Sequence, residues 1–160
     1  MVMRQAQAGR HFDTLEQEVF LSLWRTYDRL RMVEEELFGR YELTPQQYNA
    51  LRLLKRAHPG KLQTLDLAAR LVSRAPDITR LLDKLEQRAL IDRDRPAGNR
   101  RVVEVSISAA GLALLQELRR AIRHCHVRQL GHLSRKQLGD LAALLRAARW
   151  PHEDPASSWR

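Results

Sequence analysis

The chain has 160 residues, 44% of them hydrophobic, and carries 28 Lys and Arg against 19 Asp and Glu, a formal net charge of +9. A single core in a chain of this size buries roughly 70% of the unfolded surface, so neither disulfides nor a structural metal is needed, and the one cysteine, Cys125, has no partner for an internal bridge. No apolar run approaches the roughly 20 residues that span a bilayer, and Met1–His11 lacks the apolar stretch of a secretory signal. The expectation is therefore a cytoplasmic protein with no membrane partner.

Charge is unevenly placed. Residues 1–51 hold 6 basic and 8 acidic side chains, residues 52–101 hold 13 and 6, and residues 102–160 hold 9 and 5. A basic middle third points to a polyanion, nucleic acid first and an acidic membrane second. Of the 28 basic residues 24 are arginine, which suits bidentate contacts to phosphate or guanine.

In chain order, residues 13–38 read as one amphipathic helix. Leu15, Val19, Leu23, Leu30, Val33 and Leu37 recur at three- and four-residue steps, and Phe20, Trp24 and Tyr27 widen the stripe. That stripe exceeds what one small core needs, so a helix from a second chain is the expected partner. Thr44-Pro45-Gln46-Gln47 carries a capping box, and the helix it opens ends at His58-Pro59-Gly60. Thr64 opens a third helix with Leu65, Ala68 and Leu71 at helical spacing. A fourth is expected from Ser73, with Pro76 in its first turn and Ile78, Leu81, Leu82 and Leu85 inward. Residues 90–95 and 100–107 then read as two strands around the turn Pro96-Ala97-Gly98-Asn99. After Ser108, Leu112, Leu115, Leu118, Ile122 and Cys125 form another stripe, and Ser134-Arg135-Lys136-Gln137 caps a last helix bearing Leu138, Leu141 and Leu145.

Helices followed by a hairpin, then two more helices, define a mostly α (α+β) fold with a winged helix-turn-helix. The domain reading is a flexible N-terminus at 1–12, a helical dimerisation region at 13–40 and 108–150, a DNA-binding lobe at 43–107 and a flexible tail at 151–160.

On the fourth helix, about 100° per residue places Pro76, Arg80, Lys84 and Gln87 opposite the core face, with Ser73 near the start. Arginine there can reach guanine O6 and N7, while serine and backbone amides hold phosphate. A plain solvated face is the bland alternative. Arg95, Arg100 and Arg101 crowd the hairpin tip, a costly arrangement unless an anion meets it, and such a tip can enter the minor groove or brace against phosphate. Asp92 and Asp94 are the alternative neutralisers.

The stretch from Leu43 to Leu115 resembles the MarR family of bacterial winged-helix transcriptional regulators. The residues that carry the likeness are Leu43-Thr44-Pro45-Gln46, Leu67-Ala68-Ala69-Arg70-Leu71, the run from Ile78 to Glu86, and the run from Asn99 to Gly111, similar to the family's D-x-R, strand, then L-T-x-x-G. The resemblance implies a homodimer with interlaced terminal helices that binds a pseudo-palindromic double-stranded DNA operator, usually as a repressor. It also implies release by a small aromatic or anionic effector, or by thiol oxidation. With it, Ser73, Arg74, Pro76, Thr79, Arg80 and Lys84 become the recognition-helix candidates, Arg95, Asn99, Arg100 and Arg101 the wing, and Thr64 a support of the helix-turn-helix. Asn99 stands where the family has an Asp that orients a neighbouring arginine. Ala89 stands where it commonly has Gly, at a cost of about 1 kcal/mol if that residue must adopt positive φ.

Trp24, Tyr27 and Tyr48 are candidates to line an effector pocket, although aromatic stripes more often pack a core. Cys125 is the candidate redox thiol, flanked by Arg123, His124, His126 and Arg128, but it shares a stripe with Leu118 and Ile122 that favours packing. His124 and His126 are two apart on a helix and point in opposite directions, which argues against a metal site. No Gly-rich phosphate loop, H-E-x-x-H or G-x-S-x-G occurs, so no enzyme and no cofactor is expected. The rival readings are a winged helix that docks a protein partner and a ligand-binding module that has lost its DNA-reading face.

Overall fold

The structure, a computed structural model, describes residues 12–160; the expected flexible segment 1–12 lies almost wholly outside the described residues. Helix α1 (Leu15–Gly39) is followed by α2 (Pro45–Ala57), strand β1 (Leu62–Gln63), α3 (Thr64–Arg70), α4 (Ile78–Gln87), the wing strands β2 (Ile91–Asp94) and β3 (Glu104–Ile107), then α5 (Ala109–Leu130) and α6 (Arg135–Arg149). Among the described residues no helix is long and apolar enough to cross a membrane.

Local signals placed the helix starts. Thr44 accepts the Gln47 N–H at 3.1 Å while the Gln47 side chain accepts the Thr44 N–H at 2.9 Å, so two orphan amides of α2 are satisfied reciprocally. Ser134 and Gln137 do the same for α6, and Ser108 accepts the Gly111 N–H at the start of α5.

The core gathers Leu51 and Leu54 of α2, Leu67 of α3, Leu82 and Leu85 of α4, Ile91 and Val105 of the sheet, and Leu118 of α5, all buried. Phe38 joins it from the end of α1 and stacks on Tyr48 at 4.8 Å. The sheet order is β1-β3-β2, all antiparallel, with Leu62 opposite Val105 and Ile91 opposite Ile107. Gly111 allows α5 to start against this sheet, because a Cβ there would stand 2.3 Å from the Leu90 carbonyl oxygen.

Several expectations are corrected. Helix α4 begins at Ile78, not Ser73. Proline steers Ala75 away from the α region, and the Asp77 side chain, not Ser73, accepts the first-turn Arg80 N–H at 2.9 Å. Ser73, Arg74 and Pro76 therefore lie in the α3–α4 connector. In α3 the inward residue is Leu67, and Leu65 is 79% exposed. The wing strands are shorter than read, which leaves Arg95, Arg100 and Arg101 in the loop between them. Strand β1 has only two residues and no periodic signal to announce it. The segment 151–160, expected as a flexible tail, lies against α3 through Trp159.

The N-terminal half of α1 projects from this body. Trp24 is 64% and Tyr27 62% exposed, with Leu15, Val19, Phe20 and Leu23 also open, while α6 buries none of its residues and exposes Leu141, Leu144 and Leu145.

Candidate nucleic-acid interface

Ser73, Arg74, Pro76, Thr79, Arg80 and Lys84 are all exposed. On α4 the buried Leu81, Leu82 and Leu85 fix one face, so Arg80 points away from the core with Lys84 and Gln87 beside it. The connector leading into α4 is held by two side chains of α2 that sequence reasoning passed over. Asn49 Oδ1 accepts the Val72 N–H at 2.9 Å, and the Gln46 amide donates to the Arg74 carbonyl at 3.4 Å. Thr64 pins the start of α3 to the wing, its hydroxyl donating to the Val103 carbonyl at 3.2 Å and its N–H to the same oxygen at 3.0 Å.

Arg95, Asn99, Arg100 and Arg101 are exposed at the wing tip. The Arg95 guanidinium donates to the Arg100 carbonyl at 2.8 Å, bracing the loop from within. Asn99 Oδ1 accepts the backbone N–H of Arg101 at 3.1 Å. Its side chain thus shapes the turn and leaves the Arg101 guanidinium free.

Arg52, Lys55, Arg56 and Arg70, on α2 and α3, form no ion pair among the described residues; the lobe's other cations fall into two groups. Those that hold the fold are paired: Lys61 with Asp94 and Glu104, Arg93 with Asp83 and Glu86, and Arg88 with the carbonyls of Tyr41 and Glu42. Arg74, Arg80, Lys84, Arg95, Arg100 and Arg101 form no ion pair among the described residues. Asp92 is likewise unpaired and Asp94 is engaged by Lys61, so neither neutralises the wing arginines. Arg93 was not anticipated. It ties β2 to the flank of α4 that carries Asp83 and Glu86, beside the outward face bearing Arg80.

Behind the lobe a cavity of about 600 Å³ lies between α2, α5 and α6. Tyr48, Leu115, Ile122 and Leu138 give it an apolar lining, and Arg52, Lys55, Arg119 and Arg123 ring it with cationic groups. Tyr48 lines this cavity, while Trp24 and Tyr27 do not reach it; they stand on the open half of α1. The four cations were missed because their shared face appears only when α2 packs beside α5. Burial raises the Tyr48 pKa, with Arg52 opposing and Glu34 adding to the shift. Cys125 is buried, and burial likewise pushes its thiol up, reinforced by Glu34 and opposed by Arg128. That is the reverse of an activated redox thiol, and it matches the packed alternative.

Helices α3 and α4, the three-stranded sheet and an arginine-tipped loop together make a winged helix-turn-helix. Residues 43–103 match the sequence profile of the MarR family. A crystal structure of a MarR transcription factor from Planctomyces limnophilus is 52% identical, with a TM-score of 0.69, covering 86% of this chain and 99% of that one. The HTH-type transcriptional repressor MdtR of Bacillus subtilis is 26% identical over 126 residues, 79% of this chain and 80% of MdtR. Sco3205 of Streptomyces coelicolor, a MarR family regulator crystallised in complex with DNA, shares the fold at 14% identity and a TM-score of 0.81 over 96% of this chain and 98% of that one. The chain belongs to the MarR family of transcription regulators and is not an enzyme.

Proposed function

We propose that this chain works in the cytoplasm as a homodimeric repressor that binds a pseudo-palindromic operator in double-stranded DNA. Residues 43–107 form the DNA-binding lobe, with α4 offered to a major groove and the wing tip to the adjacent minor groove or backbone. Arg80, Thr79 and Lys84 face the bases and nearby phosphates, Ser73, Arg74 and Pro76 meet phosphate from the connector, and Arg100 and Arg101 lead the wing. The observation that carries this reading is the division of the lobe's cations. Lys61, Arg88 and Arg93 are engaged within the fold and Arg95 braces the wing loop, while the side chains of Arg74, Arg80, Lys84, Arg100 and Arg101 stand exposed on the connector, the outer face of α4 and the wing tip with no partner among the described residues, open to an anion.

Residues 13–40 and 108–150 form the dimerisation region. The open apolar face of α1 and the wholly unburied α6 are surfaces that a second copy covers. The cation-ringed cavity suits a small aromatic or anionic effector, its apolar lining taking a ring and its arginines a carboxylate.

Fluorescence anisotropy with DNA from upstream of the chain's own reading frame, repeated across a salt series, tests the central claim. A regulator gives at least a 10³-fold preference for one palindrome over unrelated duplex. Binding that is salt-sensitive but blind to sequence would instead favour an interaction or ligand-binding module.

A further inference from the structure

The C-terminal segment returns to the lobe. It leaves α6 through a 3₁₀ turn, Trp150–His152, and ends with the Trp159 indole N–H donating to the Arg70 carbonyl at 3.3 Å. That oxygen belongs to the last turn of α3, where helix carbonyls lack an intrahelical donor. Arg149, the final residue of α6, holds the same end: its guanidinium donates to the Trp159 carbonyl at 3.4 Å and lies 5.4 Å from the indole centroid. Arg149 also pairs with Glu153 at 3.0 Å, and Ser157 Oγ donates to Glu153. Between these anchors the segment crosses a cleft of about 910 Å³ bordered by Leu53, Arg56, Asp66 and Ala69. It is held at its ends and does not pack down along its length.

This arrangement fixes α6 at both ends, at its start by the turn from α5 and at its finish through Trp159 to α3. Arg70 immediately precedes the connector that delivers Arg74 and α4. We propose that Trp150–Arg160 is a strap through which the helix of the dimerisation region restrains the C-terminal end of α3, and so sets how freely the reading helix moves relative to the dimer body. Because Leu138 of α6 also lines the cation-ringed cavity, a ligand that displaces α6 pulls on α3 by this route. Only the DNA arm of the test rests on the function proposed above.

The test uses the full chain with Trp159→Ala and Trp159→Phe. The phenylalanine variant keeps a ring beside Arg149 and removes the N–H donor. Hydrogen–deuterium exchange should quicken at residues 68–74 in both variants, by about 2- to 10-fold as expected for one lost hydrogen bond. Exchange at residues 48–54 and the oligomeric state should not change, which separates release of the strap from misfolding. On DNA, an operator with its half-sites moved apart by one base pair should lose less affinity with the alanine variant than with the parent. Unaltered exchange at 68–74 in both variants overturns the strap. Altered exchange in a protein that never prefers an operator leaves the strap standing and removes the proposed function instead.

Discussion

Arg93, on the first strand of the wing, donates to Asp83 of the reading helix at 2.5 Å, and its Nε donates to Glu86 at 3.0 Å. Glu86, chiefly, and then Asp83 hold the guanidinium's pKa above its usual value. The arginine is mostly covered while both carboxylates stay partly open, so the pair contributes about 1 kcal/mol and not the larger value of a desolvated bridge. Its main consequence is geometric, since it sets the wing root against the flank of α4. Arg93→Met should lower stability by about 1 kcal/mol in denaturant melts and weaken operator binding. The salt dependence of binding should not change, because Arg93 is already occupied by two carboxylates and releases no phosphate counterion.

Arg101 should behave differently. Its backbone N–H is held by Asn99 while its guanidinium has no acidic partner among the described residues. Arg101→Ala should leave thermal stability within about 0.5 kcal/mol. Operator affinity should fall by about 1–3 kcal/mol if the side chain reads bases, or the salt slope should fall by about 1 if it touches only phosphate. Anisotropy titrations at four salt concentrations separate the two, and an unaltered affinity with an unaltered slope removes Arg101 from the interface.

Two backbone positions carry opposite expectations. Ala89 sits at φ 54°, the left-handed region that costs an L-residue roughly 1–2 kcal/mol. Ala89→Gly should therefore raise stability, by about 1 kcal/mol once glycine's greater unfolded-state entropy is set against the relief. Gly111 is buried where a Cβ would also meet Ile107 Cγ1 at 2.7 Å. Gly111→Ala should push α5 off the sheet and cost about 1–3 kcal/mol. Paired chemical melts of the two variants check both signs.

How much of this was legible in the sequence follows from the range of the interactions. The capping boxes at Thr44 and Ser134 are complete within four residues, so the sequence alone locates them. The positive φ at Ala89 was likewise approachable from its place after the recognition helix. Asp77 could not be chosen over Ser73 by pattern, since both side chains can cap and only the folded connector shows which one does. Strand β1, the Asn49 contact to Val72 and the Trp159 contact to Arg70 join residues 23 to 89 positions apart, and no local periodicity records them. Trp24 and Tyr27 show the same limit. Their spacing marks an apolar stripe on α1 but not the neighbour it faces, nor that Tyr48 lies apart from them beside α5 and α6.

Glu34 gives a pH-dependent prediction. It lies half-buried on α1; burial raises its pKa, His126 opposes that shift and Glu35 adds to it. A carboxyl group whose folded pKa exceeds its unfolded one favours the folded state while protonated. That contribution is complete below the unfolded pKa and is lost as pH climbs through the folded value. At neutral pH the wild-type chain therefore holds a partly desolvated carboxylate at a cost, and Glu34→Gln removes it. The variant should melt higher than wild type near pH 7, and the gap should close as pH falls through the carboxylate range. Thermal melts of the two proteins from pH 4 to pH 8 decide it; a variant that melts below wild type near pH 7 would show that Glu34 is held by attraction and not penalised by burial.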